Sequence, residues 1–208
     1  MDDRQPGETW RQRQKAMTRE RILEVARRLF EHNGFEGTTM RSVAAEAGIA
    51  TGTIFTHFPD KGALLIEAIL KDLAETDRLI AATLPPAPIR SQILHMAEAG
   101  FGYWCRRPAL SATLLKEMYL VDGPPAQRRR NETARFVGFC RELLERARDR
   151  GELRSGVDCA AAARNLYTTY IGRLIQAAGD RDFDLDAMLA DFEAFIDQLL
   201  AGIGAPPV

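Results

Sequence analysis

Residues 51–61 carry short polar side chains that suit hydrogen bonding and ion pairing rather than bond-making chemistry. Thr51 and Thr53 each offer a hydroxyl, and the threonine methyl can contact a thymine methyl. Gly52 between them has no side chain, so its backbone can approach a phosphate or a base edge closely. The ammonium of Lys61 is a point charge suited to a phosphate. The combination predicts contacts with double-stranded DNA.

Two short helices must position these residues. Apolar residues at helical spacing predict one helix over about 40–47 and a second over about 51–57, with Ile54 and Phe58 facing inward. Gly48 stands between them, where a helix C-terminus tolerates a left-handed residue. Two helices joined by such a turn match a helix-turn-helix over residues 39–58, whose second helix enters the major groove. The alternative is an ordinary helical hairpin with a solvated, threonine-rich face.

A strongly amphipathic helix precedes this pair, with Thr18 as its expected N-cap and Phe30 near its end. From residue 11 to residue 28 the chain has seven basic residues against two acids, although its net charge is −1. For DNA binding the distribution of charge matters more than its sum, so we expect a basic face and salt-dependent affinity. For Arg27 and Arg28 a merely solvated helix face is an equal alternative.

The first 17 residues lack an apolar core and contain Pro6 and Gly7, so we expect a flexible N-terminal arm over residues 1–15. Its basic residues could reach a minor groove, and a plain disordered tail is the alternative. The arm has no hydrophobic segment typical of a signal peptide, and no apolar run approaches 18 residues. A cytoplasmic protein without membrane contact is the expectation.

The run RILEVARRLFEHNGFEGTTMRSVAAEAGIATGTIFTHFPDKGALL resembles the DNA-binding domain of TetR-family transcriptional regulators. The match covers about residues 16–76 and is dense: LF-x3-GF-x2-TTM, then AGI-x2-GT, then HF-x2-K. The resemblance implies a helix-turn-helix domain over residues 16–76. It also implies a helical effector-binding and dimerisation domain over residues 77–208, in which the family varies widely in sequence.

The resemblance also implies DNA contacts at matching positions. They are the start of the second helix, the front of the recognition helix, an aromatic and polar pair that contacts phosphates, and the basic residue that opens the fourth helix. In this chain the positions are, respectively, Thr38 and Thr39; Thr51, Gly52 and Thr53; Phe55 and His57; and Lys61.

Two residues depart from the family pattern. Ala50 stands where serine is common, so the usual N-cap of the recognition helix is missing, at a cost of about 1 kcal/mol. Either Thr51 caps the helix instead, or the helix starts less firmly. Phe55 stands where tyrosine is common, so a phenolic hydrogen bond to phosphate, of about 1.5–3 kcal/mol, is absent.

The rest of the chain predicts further helices separated by breakers, and no segment has the period of a strand. Helices are expected over 60–83, 89–106 and 108–119, then, after a break at residues 122–125, a long helix to about residue 150, and helices over 158–178 and 184–203. The predicted fold class is therefore all-α, with an N-terminal three-helix DNA-binding domain and about nine helices in total.

The last two helices predict a homodimer through residues 157–203. Their apolar stripe is wider than one core face needs, and small residues in the first of them permit close helix approach. The family implies the same pair of helices as the dimer contact, and a thicker monomeric core is the alternative. The candidate interface residues are Leu166, Ile171, Leu174, Phe192, Phe195, Ile196 and Leu199.

Aromatic residues and methionines gather between residues 95 and 170. Such residues at helical spacing are more often plain core, and the resemblance to the family is what favours an apolar ligand pocket between helices. The candidate lining residues are His95, Met96, Phe101, Trp104, Met118, Phe136, Phe139, Tyr167 and Tyr170.

Other chemistries find little support. Cys105, Cys140 and Cys159 are widely spaced and form no zinc pattern with the histidines, so no metal is expected; free buried thiols are preferred over a redox sensor. No catalytic triad, paired carboxylates or phosphate loop indicates an enzyme, and no cofactor is expected.

The resulting hypothesis is a ligand-responsive repressor. It binds a pseudo-palindromic operator as a dimer and is released by a small hydrophobic or aromatic effector. The alternative is a helix-turn-helix regulator that acts as an activator or through protein partners.

Overall fold

The computed structural model describes residues 9–119 and 125–204, with the backbone alone described for residues 125–129. These ranges contain nine α-helices, so the all-α prediction is confirmed. Residues 122–124 of the predicted break at residues 122–125 lie outside the described residues, whereas Pro125 is the first residue of α7. The helices are α1 (Trp10–Asn33), α2 (Met40–Glu46), α3 (Thr51–Phe55), α4 (Lys61–Ala82), α5 (Ile89–Cys105), α6 (Pro108–Tyr119), α7 (Pro125–Asp149), α8 (Cys159–Asp180) and α9 (Leu185–Ile203).

The chain divides into two compact units between Lys71 and Asp72, a few residues before the expected boundary at residue 76. Unit 1 contains α1 to α3 and the first part of α4. Its core forms because each helix turns one apolar stripe inward. Side chains that are at most 2% exposed fill it: Ile22, Ala26, Phe30, Val43, Ala44, Ile54, Phe58, Leu64 and Leu65.

The start of α1 differs from the prediction. Thr9 is the N-cap, in a capping box with Gln12, so residues 10–15 of the expected flexible arm are helical. Thr18, the expected N-cap, instead lies within the helix, where its hydroxyl donates to the carbonyl oxygen of Gln14 at 2.9 Å. The sequence pattern misplaced the start because residues 10–17 have no buried face, and apolar periodicity detects only a helix that packs.

Unit 2 contains the remainder of α4 and α5 to α9. Within it α7 packs on α8, α8 on α6, and α5 on α9. The Arg90 guanidinium joins α5 to α9 through Glu193 at 2.6 Å and Asp197 at 2.7 Å. Glu152 accepts from the backbone N–H of Ile89 at 2.6 Å and so caps α5. These polar contacts fix the helices that surround the chamber described below.

Candidate DNA-binding surface and ligand chamber

At the start of α2, Thr38 and Thr39, which were both expected to contact DNA, have different surroundings. Thr39 is the exposed N-cap: its hydroxyl accepts from the Ser42 N–H at 3.0 Å, and the Ser42 hydroxyl lies 3.0 Å from the Thr39 N–H. The Thr38 side chain is fully buried, with its hydroxyl 2.8 Å from the carbonyl oxygen of Gly34 and 3.1 Å from that of Leu29. Thr38 therefore holds the α1–α2 corner and presents no side chain to DNA.

The turn after α2 is a Schellman motif. Gly48 adopts the left-handed conformation at φ +64°, and its N–H donates to Ala45 at 3.1 Å. The N–H of Ile49 reaches back to the Ala44 carbonyl at 3.0 Å. The Arg21 guanidinium of α1 donates to the Ala47 carbonyl and so satisfies another C-terminal group of α2. The turn that orients α3 is thus stabilised by hydrogen bonds within α2 and by Arg21 of α1.

The front of α3 is open to solvent. Thr51 and Gly52 are exposed and Thr53 is half-buried, while Ile54 behind them is fully buried. Ala50 is the N-cap and offers no side-chain hydrogen bond, and α3 nevertheless begins at Thr51. A Cβ added at Gly52 would meet no atom within 4 Å. No packing against the described residues of unit 1 therefore requires glycine at this position.

The aromatic and polar pair at the end of α3 faces outward in part. The Phe55 ring is 51% exposed, which is unusual for a large apolar side chain. His57 is half-buried, and its Nδ1 is buried with no hydrogen-bond partner among the described residues. Burial, followed by the positive charges of Lys15 and Arg19, holds the pKa of His57 below its usual 6.5. The imidazole is therefore neutral at pH 7 and has an unused nitrogen.

Lys61 at the start of α4 is bound within unit 1. Its Nζ donates to the Phe35 carbonyl at 2.8 Å and lies 4.1 Å from the centroid of the Phe35 ring. Glu36 lies at 3.9 Å from the same nitrogen. Lys61 thus ties α4 to the segment between α1 and α2, a structural role that sequence reasoning did not assign.

The basic residues of α1 divide into two groups. Arg19 pairs with Glu67 at 2.6 Å and lies over the Phe58 ring, Arg27 pairs with Glu31 at 3.1 Å, and Arg28 pairs with Glu46. By contrast, three exposed residues of the first turns form no ion pair with any residue that the structure describes: Arg11, Arg13 and Lys15. These three carry the positive charge that is left for phosphates.

Sequence reasoning missed Arg41. It lies in the first turn of α2, is exposed, and makes no ion pair within the described ranges. The signal was available, because the polar side of a seven-residue helix that ends in the recognition turn is where a free guanidinium would meet a phosphate.

A chamber lies among α4, α5, α7, α8 and α9 within unit 2. It holds about 620 Å³ of space between side chains, including its open mouth. Its walls are mainly apolar and aromatic: Leu73, Thr76, Asp77, Ile80, Ile89, Ile93, Met96, Ala97, Gly100, Tyr103, Trp104, Phe136, Cys140, Leu143, Leu166, Tyr170 and Phe192. A wider outer groove shares Asp77, Ile80, Met96 and Phe136 with it, so we treat the two as one site.

Four of the nine expected pocket residues line the chamber: Met96, Trp104, Phe136 and Tyr170. Phe139 lines the outer groove. Phe101 and Met118 are buried in the core outside the lining, and His95 contacts the Thr83 hydroxyl at 3.0 Å. Tyr167 lies in a separate groove, where its hydroxyl is 2.6 Å from that of Tyr119 and 2.7 Å from that of Thr133.

An internal hydrogen bond supports the aromatic wall of the chamber. Trp104 donates through Nε1 to the Tyr170 hydroxyl at 3.0 Å, and burial raises the pKa of that phenol. Tyr170 stacks on Phe136 with centroids 5.8 Å apart and packs on Phe101 at 4.7 Å. Gly100 allows this arrangement, because a Cβ there would lie 2.8 Å from the Tyr170 hydroxyl.

Both units match models of known protein families. Residues 22–68 match the N-terminal model of bacterial regulatory proteins of the tetR family, and residues 120–201 match the C-terminal model of BetI-type transcriptional repressors. The chain belongs to the TetR family. It is a DNA-binding transcription regulator with a helix-turn-helix, in agreement with the prediction.

Relatives and solved structures of the TetR family agree over most of the chain. The transcriptional regulator UidR of Escherichia coli K12 is 26% identical over 193 residues, which cover 89% of this chain and 92% of UidR. A TetR-family regulator of Pectobacterium atrosepticum shares the fold with a TM-score of 0.76 at 21% identity, covering 97% of this chain and 100% of its own. The transcriptional regulator FadR of Bacillus subtilis, solved in complex with stearoyl-CoA, shares the fold with a TM-score of 0.68 at 18% identity. The match covers 88% of this chain and 98% of the FadR chain.

This TetR-family chain is a regulator and not an enzyme, as are the family and the relatives named above. In the described ranges no cluster of His, Cys, Asp and Glu could hold a metal ion. Nor does any described helix have the length and apolarity needed to cross a bilayer.

The residues expected at a dimer contact fall into two classes. Leu166, Leu174, Phe192 and Ile196 are buried within their own chain, and two of them, Leu166 and Phe192, line the chamber. Ile171, Phe195 and Leu199 remain half-exposed on α8 and α9. Of the expected interface residues, only the half-exposed ones, Ile171, Phe195 and Leu199, therefore remain candidates for contact with a partner chain.

Proposed function

We propose that this TetR-family regulator is a homodimeric repressor that binds a pseudo-palindromic operator through α3 and leaves it when a small hydrophobic ligand occupies the chamber. The match of residues 120–201 to a repressor model and the apolar, aromatic lining of the chamber support this function. The DNA contacts proposed are Thr39, Thr51, Gly52, Thr53, Phe55 and His57, together with Arg41 and Lys15, whereas Lys61 is bound to the Phe35 carbonyl within unit 1.

The observation that carries the proposal is the exposed front of α3. Gly52 has open space around it, so its missing side chain is useful only to something outside the chain. Two threonines flank it with hydroxyls and methyls, the groups that contact bases in a major groove. The N-terminal residues of a recognition helix are the ones that reach base edges, and they are the open ones here.

An outward face of α8 and α9 supports the dimer. Ile171 and Leu199 are half-exposed, and Gly172 is exposed with no atom within 4 Å of an added Cβ. An apolar face interrupted by a glycine allows a second pair of helices to approach closely. A two-fold dimer repeats the same patch on both partners and presents two copies of α3 about 34 Å apart, one helical turn of DNA.

The course of helix α4 is an argument for a ligand-dependent switch. It carries Lys61 in unit 1 and the chamber residue Asp77 in unit 2 along one continuous element. A ligand that binds one arrangement of the dimer better than another shifts the population by that difference in affinity. If the favoured arrangement does not match the half-sites, the operator is released.

Footprinting and fluorescence anisotropy on the promoter of the protein's own gene test this function. We expect a symmetric protected site bound with a stoichiometry of two chains, and repression of a reporter that Thr53→Ala relieves. Asymmetric protection, or activation of the reporter, would favour the activator or partner-dependent alternative. A screen of apolar ligands that leaves operator affinity unchanged throughout would remove the switch from the proposal.

A further inference from the structure

We propose that a second groove of unit 2, formed by α6, α7 and α8, binds a small hydroxylated organic anion through its carboxylate or phosphate group. The residues that would recognise this ligand are two arginines, Arg130 and Arg164, and three residues with hydroxyl groups, Tyr119, Thr133 and Tyr167. We call this surface the hydroxyl groove.

The hydroxyl groove and the chamber use different faces of α7. Arg130, Thr133 and Val137 stand at i, i+3 and i+7, so they share one face of that helix, and all three line the groove. From α7 the inner chamber is lined instead by residues such as Phe136 and Cys140, and no described residue lines both spaces. The inference therefore goes beyond the proposed function and does not depend on it.

Three hydroxyl groups from three helices meet in the groove. The Tyr167 hydroxyl of α8 lies 2.6 Å from that of Tyr119, the last residue of α6, and 2.7 Å from that of Thr133 on α7. All three side chains are half-buried. A hydroxyl group both donates and accepts, and its hydrogen can rotate, so such a chain can direct a donor towards an anion. The same groups can exchange hydrogen bonds with hydroxyl groups of a ligand.

Arg164 supplies a positive charge that the described structure leaves unpaired. It is exposed on α8 and forms no ion pair or hydrogen bond with any residue in the described ranges. The residues three and four positions away on α8 are alanine, tyrosine and threonine, so its own helix offers it no carboxylate. Two arginines of α7 outside the groove differ, because Arg135 pairs with Glu132 at 2.9 Å and Arg141 with Glu145 at 3.7 Å.

The charge of the groove favours an anion. Arg130 of α7 lines the groove as Arg164 does, and no Asp or Glu belongs to its described lining. The planar guanidinium group matches the oxygens of a carboxylate or a phosphate two at a time. A cation would meet two like charges. An apolar molecule would cover hydroxyl and guanidinium groups without giving them hydrogen-bond partners.

Calorimetric titration of the full chain with three matched probes tests the proposal. Glycerate, glycerol phosphate and glycerol share a hydroxylated three-carbon body and carry, respectively, a carboxylate, a phosphate or no charge. All three are too polar to favour the apolar chamber. We expect at least one anion to bind at least about tenfold more tightly than glycerol, a difference of about 1.4 kcal/mol. The tighter of the two anions identifies the charged group of the ligand.

Variants of Arg164 show whether the anion binds in this groove. We expect Arg164→Gln to weaken the tighter anion about tenfold or more, and Arg164→Lys to keep part of the affinity because the charge remains. Arg141→Gln is the matched control. It removes the same charge from an exposed arginine outside the groove, so it should leave the affinity unchanged. The affinity of the parent should fall as salt rises, because Arg164 is exposed.

Tyr167→Phe separates ligand binding from a merely structural role of the hydroxyl groups. It removes the central hydroxyl and keeps the ring, which packs on Phe136 with centroids 5.8 Å apart. We expect this variant to bind the anion several-fold more weakly at a temperature where parent and variant are both folded. An unchanged affinity would show that the hydroxyl groups only join the three helices, and it would overturn the site as proposed.

The proposal would also be overturned by equal affinities for glycerol and both anions, or by no binding of either anion at millimolar concentration. Equal losses of affinity in Arg164→Gln and Arg141→Gln would mean that the anion meets only the general charge of the surface. Operator affinity is not a readout in these experiments. The proposed function therefore stands or fails separately.

Discussion

At the scale of single residues, the polar side chains of unit 1 divide into those that hold the fold and those that remain for DNA. Arg21 caps α2, Lys61 binds the Phe35 carbonyl, and the Thr38 hydroxyl is buried in a corner. Arg41 is exposed without such a partner among the described residues. A change of charge at a basic position therefore has different consequences according to the group it belongs to.

Arg41→Gln and Lys61→Gln test this division. We expect Arg41→Gln to leave the free energy of unfolding within about 0.5 kcal/mol, because an exposed side chain is removed. It should weaken binding to all DNA and reduce the salt slope of log K by about one. Lys61→Gln should lower the free energy of unfolding by about 1–2 kcal/mol, since it loses a charged hydrogen bond and a ring contact.

Urea denaturation and anisotropy titrations at several salt concentrations measure both variants. If Lys61→Gln were as stable as the parent, its contacts with Phe35 would contribute nothing. If Arg41→Gln bound DNA as tightly as the parent, the α2 surface would lie away from the phosphates.

We expect His57 to take up a proton when the protein binds its operator. Its pKa lies below 6.5 in the free protein, first because of burial and then because of Lys15 and Arg19. A nearby phosphate would raise that pKa, so lowering the pH from about 7.5 to about 5.5 should strengthen operator binding, by at most about tenfold per pH unit for one proton. The free protein should lose stability over the same fall in pH, because the unfolded chain binds this proton more readily.

The pH dependence is measured as operator affinity for the parent, His57→Gln and His32→Gln. His57→Gln should flatten the slope. His32→Gln should keep it, because His32 is an exposed residue in the last turn of α1. Parallel slopes in all three proteins would place His57 away from the phosphates.

At the scale of elements, the turn between α2 and α3 and the front of α3 use glycine for opposite reasons. Gly48 is required by its own backbone at φ +64° and by the Arg21 guanidinium, whose Nη2 lies 2.9 Å from where a Cβ would be. Among the described residues nothing imposes such a requirement on Gly52.

Gly48→Ala and Gly52→Ala therefore form a matched pair. A left-handed alanine costs about 1–2 kcal/mol, so Gly48→Ala should lower the free energy of unfolding by at least that amount. Gly52→Ala should preserve stability or raise it by about 0.5–1 kcal/mol, because alanine is the better helix former, and yet it should weaken operator binding. Denaturation and anisotropy at a temperature where both variants are folded measure this. Tight binding by Gly52→Ala would show that the backbone of α3 does not approach DNA closely.

The elements show which features the sequence could predict. The bounds of α2 and of the helices of unit 2 follow from apolar periodicity, Gly and Pro, and they were predicted within a few residues. The first turns of α1 escaped, because they pack on nothing and are held by the Thr9 capping box. The chamber was predicted in part: aromatic residues indicated α5 and α7, whereas the contribution of α4 depends on how five helices meet, which no local pattern encodes.

At the scale of the whole molecule, the proposed homodimer would form through the outward face of α8 and α9. Four of the residues expected there pack inside their own chain, so the surface left for a partner is smaller and its centre lies near Gly172. The carboxylate–guanidinium contact of Arg173 with Asp191, at 2.7 Å, fixes α8 against α9 beside this face. An apolar surface of this kind, with Gly172 allowing close approach, is suited to self-association.

Gly172→Arg should convert the dimer into a folded monomer. An arginine there points into open space in the single chain and replaces glycine inside a helix, so the fold should keep its stability. In a dimer its bulk and charge would hold the two faces apart. Light scattering at micromolar concentration should give one chain's mass, and half-site cooperativity on the operator should disappear. Leu79→Glu, a change at an exposed residue of α4, is the control and should remain dimeric.

The helical start of α1 has a consequence for how the molecule meets DNA. Residues 10–16 are ordered before any contact, with Arg11, Arg13 and Lys15 displayed along them. Ordering a flexible segment costs about 1–2 kcal/mol of conformational entropy per residue, and a loose arm would incur that cost at each encounter. In this protein residues 10–16 are already helical, so that entropy is lost on folding and not on binding. If this basic segment contacts phosphates, it does so as a preorganised surface, and little of its electrostatic attraction would be offset by a loss of conformational entropy.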